Sequence, residues 1–407
     1  MEPLEENQKA KVHWLNRNVV GMGFTSFLSD AGHEMATAVL PGFLASICAS
    51  PAILGFIEGL ADAVSSFIKL GAGWYSDRIG RRKTICVGGY FLTGISKALF
   101  ALAYGWPLVL IGRVLGWFGR GVRGPLRDAM LADSVPPAAR GKAFGFHRAG
   151  DTLGAIVGPL LAVGVLTLLQ GGAGDDASQA YRPIFVLTLI PGVGSALAFG
   201  FMVRETTLTQ NHGLRLWTTI RNLPPNYRRF LVGVGIFGIA DFAPTLLILR
   251  AAEVLTPAFG AVEAAALAAL LYTGRNVLYA AASYPIGALS DRLGRRPLLA
   301  GGYLVAALTW LGFLLPLGNF WYLMLLFGLA GIFIAAEDAL EGAIAADLLP
   351  QDVRGIGYGV LGTVNGVGDL VSSIIVGLLW THLSVAAGFL YAAVLGVIGS
   401  LVILRLR

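Results

Sequence analysis

Cysteine, histidine and charge are all scarce in this chain. Among 407 residues there are two cysteines, Cys48 and Cys86, and five histidines. The two cysteines fall near opposite faces of the topology derived below and form neither a disulfide nor a metal-ligand spacing. No metal and no cofactor is expected. Charged residues make up only 13% of the chain, well under the share of a soluble domain. The first 17 residues, MEPLEENQKAKVHWLNR, hold no apolar core followed by a small-residue cleavage site, so no signal peptide is expected. A glycine-rich phosphate loop is also missing. His33 and His147 have no convincing serine or cysteine partner in one dimension, which weighs against an enzyme.

Apolar residues and glycine are plentiful instead. The chain is 56% hydrophobic with a mean hydropathy of +0.70, and it holds 55 glycines. Small residues let transmembrane helices approach closely, whereas glycine in a soluble helix mostly costs stability. The composition is that of a membrane protein, with the lipid bilayer as its first partner. A net charge of +6 could suggest nucleic acid, but the basic residues sit in short loops between apolar spans, where they set orientation. No nucleic-acid partner is expected.

Apolar runs of about 20 residues place twelve spans near 18–46, 51–75, 84–104, 107–132, 142–169, 183–203, 228–252, 263–288, 298–317, 320–347, 356–382 and 384–404. The connections with Arg78, Arg81, Arg82 and Lys83, with Arg140 and Lys142, and with Arg292, Arg295 and Arg296 all fall on one side. The opposite connections are nearly free of Lys and Arg, so the positive-inside bias puts the basic side, and both termini, in the cytoplasm. The polar stretch around 204–227 reads as a cytoplasmic linker, with a short interfacial helix expected near Leu214 to Ile220. It divides the chain into six-helix bundles 1–203 and 228–407.

The two bundles are related in sequence. Asp77 and Asp291 lie 214 positions apart, and so do Asp133 and Asp347, Pro136 and Pro350, and Arg140-Gly141 and Arg354-Gly355. Four separated matches at one spacing indicate an internal duplication. Parallel repeats about an axis along the membrane normal are one way transporters place a site between halves.

The stretch GWYSDRIGRRK at Gly73–Lys83, echoed by GALSDRLGRR at Gly287–Arg296, resembles the G-x-x-x-D-R-x-G-R-R signature of the major facilitator superfamily, between helices 2 and 3 and again between helices 8 and 9. The resemblance covers the whole chain in span count, linker position and repeat. It implies an all-α membrane protein of the superfamily fold, a monomer with two pseudo-symmetric six-helix bundles around a central cavity. It further implies alternating access, with helices 1, 4, 7 and 10 at the cavity and 3, 6, 9 and 12 at the periphery. Gly80 and Gly294 permit tight reversals, while Arg78, Arg81 and Arg292 stay at headgroup level. In the family the aspartate matching Asp77 is held near a helix N-terminus of the other half, locking one conformation. That role is carried to Asp77 and Asp291; the competing reading makes both turns plain topological anchors.

Charges inside the spans carry the expected mechanism. Each costs about 2.5–3.5 kcal/mol at mid-membrane on insertion scales, so each needs a partner or water. Span 4 places Arg113, Arg120, Arg123 and Arg127 at spacings of 7, 3 and 4, one stripe along a helix. At the duplicated positions the sign reverses: Arg123 matches Glu337 and Arg127 matches Glu341, with Asp338 beside them. A basic wall would face an acidic one. Arg127 and Glu341 are expected to close a cytoplasmic gate as a salt bridge between halves, whereas Arg120 and Arg123 stand open between gating and substrate contact.

Span 1 carries Asp30, His33 and Glu34 on one face, and span 2 follows with Glu58, Asp62, Ser65 and Lys69. A carboxylate away from water favours its neutral form, so it can load and release a proton. Asp30 leads the coupling candidates, followed by Glu34, Asp62, Glu58 and, as a relay, His33; the alternative is that these acids only neutralise the span 4 arginines. Asp241, Arg275 and Asp369 are expected to compensate one another in the second half. Lys97 is expected to form a packing-side pair or to snorkel. His147 and Asp151, one turn apart, suit a structural contact. Gly154, Gly158 and Pro159 look like part of the helix 5 signature of family antiporters, although Ala162 and Val163 replace its final glycine pair.

The function these residues point to is secondary transport of a small organic solute across the cytoplasmic membrane, coupled to protons, with export by antiport ahead of uptake of an organic anion by symport. A non-transporting sensor of the same fold is the alternative from another class.

Overall fold

The computed structural model describes residues 14–79, 81–136, 140–169, 177–205, 220–350 and 354–405. Among them it is helical almost throughout, with twelve spans and no strand. Spans 1 to 6 are Arg17–Ser46, Pro51–Ile79, Arg82–Ser96 continued by the 3-10 helix Lys97–Leu102, Trp106–Asp133, Arg140–Leu169, and the pair Arg182–Leu187 and Leu189–Met202. Spans 7 to 12 are the pair Pro225–Gly238 and Pro244–Phe259, then Ala261–Leu293, Arg295–Gly312, Phe320–Leu348, Arg354–His382 and Val385–Arg405. Spans 2, 3, 5, 6, 10, 11 and 12 are long and apolar enough to cross a membrane by length and composition alone. Span 4, with its arginines, is not among them.

Asparagines start two of the spans. Asn16 accepts from the Asn18 and Val19 amides, and Asn319 from the Trp321 and Tyr322 amides, each satisfying donors that the first helical turn leaves free. Gly294, between spans 8 and 9, has φ +88°, a backbone conformation that a side chain would strain.

Span 7 departs from the sequence expectation. Instead of one helix it breaks between Gly238 and Pro244, because a proline opens the second helix and the preceding residue avoids helical geometry. Two serines of span 11 satisfy the freed backbone: Ser372 Oγ donates to the Asp241 carbonyl at 2.6 Å, and the Ala243 amide donates to Ser373 Oγ at 3.0 Å. Irregular backbone at membrane depth needs such partners. The first helix of span 7 also starts three residues earlier than expected, at Pro225, and the interfacial helix expected near 214–220 falls almost wholly outside the described residues.

The duplication is visible in the packing. Spans 2 and 4, 3 and 4, 3 and 6, and 1 and 5 pack together, and so do their counterparts 8 and 10, 9 and 10, 9 and 12, and 7 and 11. Matched ion pairs tie the ends of the fourth span of each half to the start of the third. Arg82 meets Asp133 at 2.8 Å and Arg295 meets Asp347 at 2.6 Å.

The halves meet mainly along two related seams, span 2 with span 11 and span 5 with span 8, with span 1 touching spans 7 and 8 between them. Along the first seam glycines from both sides face backbone. A Cβ on Gly59 would stand 2.9 Å from Leu370 Cα, and one on Gly377 would stand 2.7 Å from the Pro51 carbonyl. Spans 3, 6, 9 and 12 make no substantial contact with the other half among the described residues, so they form the periphery. The contacts at the face opposite the linker include the Ala52 amide to Thr381 Oγ1 at 3.0 Å and Gly42 against Tyr181 and Ala265.

Candidate functional site

Span 5 sets the position of span 1. Gly150, Gly154 and Gly158, one turn apart, meet the backbone of Gly23, Phe27 and Ala31, so the expected packing face of span 5 is turned onto span 1. The helix runs on through Pro159. This contact fixes Asp30, His33 and Glu34 at the middle of the molecule, against span 4.

The four arginines of span 4 then take four different settings. Arg113 is saturated: Nη2 and Nε reach Glu58 at 2.7 and 3.1 Å, and Nη1 donates to Thr37 at 3.1 Å. Both members of that pair are buried, so it is a structural bridge between spans 2 and 4. Arg120 is held more loosely, with Nη2 at 3.4 Å from Asp30 and its side chain 29% exposed. Arg123 turns away from the other half. It donates to Ser29 Oγ at 2.8 Å and lies 3.9 Å over the Tyr90 ring, inside the first bundle.

Arg127 and Glu341, expected to pair at a cytoplasmic gate, are apart in this conformation. Arg127 pairs with its neighbour Asp128 at 2.9 Å, while Glu341 accepts from Tyr303 at 2.5 Å and Asn365 at 2.8 Å inside its own half. Lys97 is corrected: it neither snorkels nor finds a carboxylate, but is buried and donates to the Thr93 carbonyl at 2.7 Å.

His33 stands edge-on to Trp117 with ring centroids 5.2 Å apart. Glu34 reaches the second half, accepting from the Tyr272 hydroxyl at 2.8 Å. Asp62 is half-buried, within electrostatic reach of Glu58, Arg113 and Lys69.

His147 finds the serine that one-dimensional reading missed. Ser26 Oγ is 2.5 Å from its Nε2 and Asp151 is 3.5 Å from its Nδ1. The order is that of a nucleophile, base and orienter, yet Ser26 is wholly buried, so no carbonyl substrate reaches it. The set is a polar lock between spans 1 and 5.

The second half is acidic at the matching depth. Asp241, at the span 7 break, lies within electrostatic reach of Glu337, and Asp338 accepts from Tyr279 at 2.6 Å. Arg275 is buried, donates to Asn276 at 3.0 Å and lies 5.5 Å from the Tyr272 ring centroid. Its charge reaches Asp241, but it makes no ion pair with Asp241 or Asp369, so the expected compensation is at a distance. Asn276 also donates to the Ala155 carbonyl of span 5 at 3.0 Å, a further link between halves. Trp117, Tyr272 and Asn276 were not expected here. Trp117 had a signal, since it sits four residues after Arg113 and three before Arg120, on the same stripe.

At the signature turns, Gly80 and the side chains of Asp77, Arg78 and Asp291 lie outside the described residues, and the expected helix-dipole contacts lie there with them. Arg81 and Arg292 are exposed. Cys48 is exposed and Cys86 buried, both as free thiols.

The sequence profile of the Major Facilitator Superfamily matches residues 22–274 and again 251–407. The chain belongs to the major facilitator superfamily. This superfamily member is 33% identical over 390 residues to an uncharacterized MFS-type transporter of Methanocaldococcus jannaschii, covering 96% of this chain and 95% of that one. Over a shorter stretch of 145 residues it is 26% identical to the quinolone resistance protein NorA of Staphylococcus aureus, 36% of this chain and 37% of that one. Its fold matches the nucleoside transporter NupG with a TM-score of 0.75 at 14% identity, over 96% of this chain and 98% of that one. At that identity the likeness is one of fold. Family and fold are those of multi-pass membrane transporters.

Proposed function

We propose that this protein is a secondary active transporter that moves a small organic solute across the cytoplasmic membrane by alternating access, exporting it in exchange for protons. The observation that carries the reading is the hydrogen bond from Tyr272 to Glu34, which makes an ionisable group on span 1 part of the contact between the halves. A carboxylate in that place changes its bond to the other half when its charge changes, and this couples proton loading to rocking. Asp30, one turn away and loosely held by Arg120, serves as the first proton carrier. The partial likeness to a quinolone resistance protein favours export. The bundles 1–203 and 228–407 rock about the seams as a monomer, the linker and both termini face the cytoplasm, and Asp77 and Asp291 latch the signature turns.

The driving force suffices. One proton moving down about 100 mV and one pH unit releases roughly 3.7 kcal/mol, enough for a solute gradient of a few hundredfold. A second reading, uptake of an organic anion together with a proton, is favoured by the loose setting of Arg120.

The experiment is flux in proteoliposomes with a trapped pH dye, a quinolone and organic anions as trial solutes, and pH gradients of each sign. Antiport predicts that adding solute on one side drives protons the opposite way. Co-movement of solute and protons would select the second reading, and saturable binding with no flux under any gradient would select the sensor.

A further inference from the structure

Three buried ring and guanidinium nitrogens gather at one spot between spans 1 and 4, and none has a hydrogen-bond partner among the described residues. They are Arg120 Nη1, Trp117 Nε1 and His33 Nδ1, with Arg123 Nε, likewise unpartnered, one turn further along span 4. A buried donor left without an acceptor costs the fold roughly 1–3 kcal/mol, so several in one place need a reason. His33 and Arg123 are 4% and 2% exposed, so bulk water does not serve them.

The three share a centre. Trp117 packs edge-on against His33, and the Arg120 guanidinium lies 5.4 Å from the Trp117 ring centroid. Behind them stand Arg123 and Lys97, whose described partners are all neutral: the Ser29 hydroxyl, the Tyr90 ring and the Thr93 carbonyl. The spot is therefore rich in donors. Asp30 and Glu34 stand at its edge, yet Arg120 Nη1, Trp117 Nε1 and His33 Nδ1 find no acceptor among the described residues.

Arg113 shows what a satisfied arginine looks like in the same helix, with all three nitrogens engaged and Glu58 at 2.7 Å. Arg120 has only one contact, at 3.4 Å, longer than the 2.7–2.9 Å of a tight ion pair. Asp30 therefore occupies one edge of the guanidinium and leaves the other free. The donors are covered in this conformation, and Arg120 and Trp117, both partly exposed, form the side of the cluster from which a ligand would enter.

We propose that this cluster is the head-group site for a solute bearing a carboxylate or phosphate, held by Arg120 and Trp117 Nε1, with His33 as a third donor in the matching tautomer. The Trp117 face adds an apolar wall beside the charge, which suits an anion with a flat or apolar body. Arg123 and Lys97 act through their field rather than by contact. The site deepens the transport reading and rests on it for the name solute, but binding needs neither a gradient nor a coupling ion.

The test uses the purified full chain in detergent, titrated with benzoate, phenyl phosphate, benzyl alcohol and benzylamine at fixed ionic strength while the unfolding temperature is followed. The expected result is a saturable rise with benzoate or phenyl phosphate and none with the neutral and cationic probes; the tighter anion names the oxo group. Arg120→Gln weakens that binding about tenfold or more, Trp117→Phe weakens it severalfold, and the exposed Arg229→Gln leaves it unchanged. Arg120→Lys, which keeps the charge and loses the fork, stands in if Arg120→Gln fails to fold. The proposal is overturned if neither anion stabilises the wild-type protein, if the alcohol does so equally, or if binding survives loss of the Arg120 guanidinium. Failure of proton-driven flux in proteoliposomes would sink the coupling while leaving these binding results in place.

Discussion

Tyr272 of span 8 donates a hydrogen bond to Glu34 of span 1 at 2.8 Å, so a tyrosine of the second half is tied to an acid of the first at the middle of the molecule. A hydrogen bond to a charged group is worth about 1.5–3 kcal/mol. Tyr272→Phe is expected to shift the balance of conformations away from this one by about tenfold to a hundredfold. Spin labels on the exposed Cys48 and on Ala261→Cys, read by pulsed dipolar spectroscopy, should gain a longer-distance population; an unchanged distribution would show that the bond does not hold the halves.

Asp30→Asn removes the proposed proton carrier and keeps the shape. Flux of the solute down its own gradient should persist, while the component driven by an imposed pH gradient disappears. Proton-driven flux at the wild-type rate in this variant would remove Asp30 from the coupling.

Arg113 and Glu58 are 3% and 2% exposed. Removing one partner leaves an uncompensated buried charge, at a cost of about 3–5 kcal/mol. Arg113→Met alone should lower the unfolding temperature sharply, and the double change Arg113→Met with Glu58→Leu should recover most of the loss. Equal damage from the single and double variants would contradict the bridge.

Gly154 and Gly164 lie on the same span with opposite surroundings. A methyl at Gly154 would stand 2.5 Å from the Phe27 carbonyl, whereas one at Gly164 meets nothing within 4 Å. Gly154→Ala should cost about 1–3 kcal/mol by overpacking, and Gly164→Ala should be neutral within about 0.5 kcal/mol. Thermal unfolding of the two proteins side by side decides this.

The membrane fold was legible because apolar runs and basic turns obey the bilayer whatever the partner helices do. The repeat was legible too, and the ion pairs of Asp133 and Asp347 are its structural counterpart. The break in span 7 was hidden because Ile239, Ala240, Phe242 and Ala243 continue an apolar run that length counting passes over; Pro244 was the only mark. The pairing of Arg127 with Glu341 is absent from this conformation for another reason. Equal positions in two repeats face each other only when both lie on the face lining the axis, and Glu341 is turned toward Tyr303 and Asn365 of its own bundle. Trp117 was passed over because an indole between arginines reads as core, and Tyr272 because no periodicity links residues 238 positions apart.

The glycines of the span 2 and span 11 seam have a mechanical consequence. Where Gly59 and Gly377 press against bare main chain there are no interlocking side chains to disengage before one helix turns on the other. Such a joint resists being pulled apart, since each contact is backbone to backbone, but offers little resistance to rolling. In the proposed rocking the fulcrum lies at this smooth bearing, and bulk added there should slow the swing long before it loosens the fold.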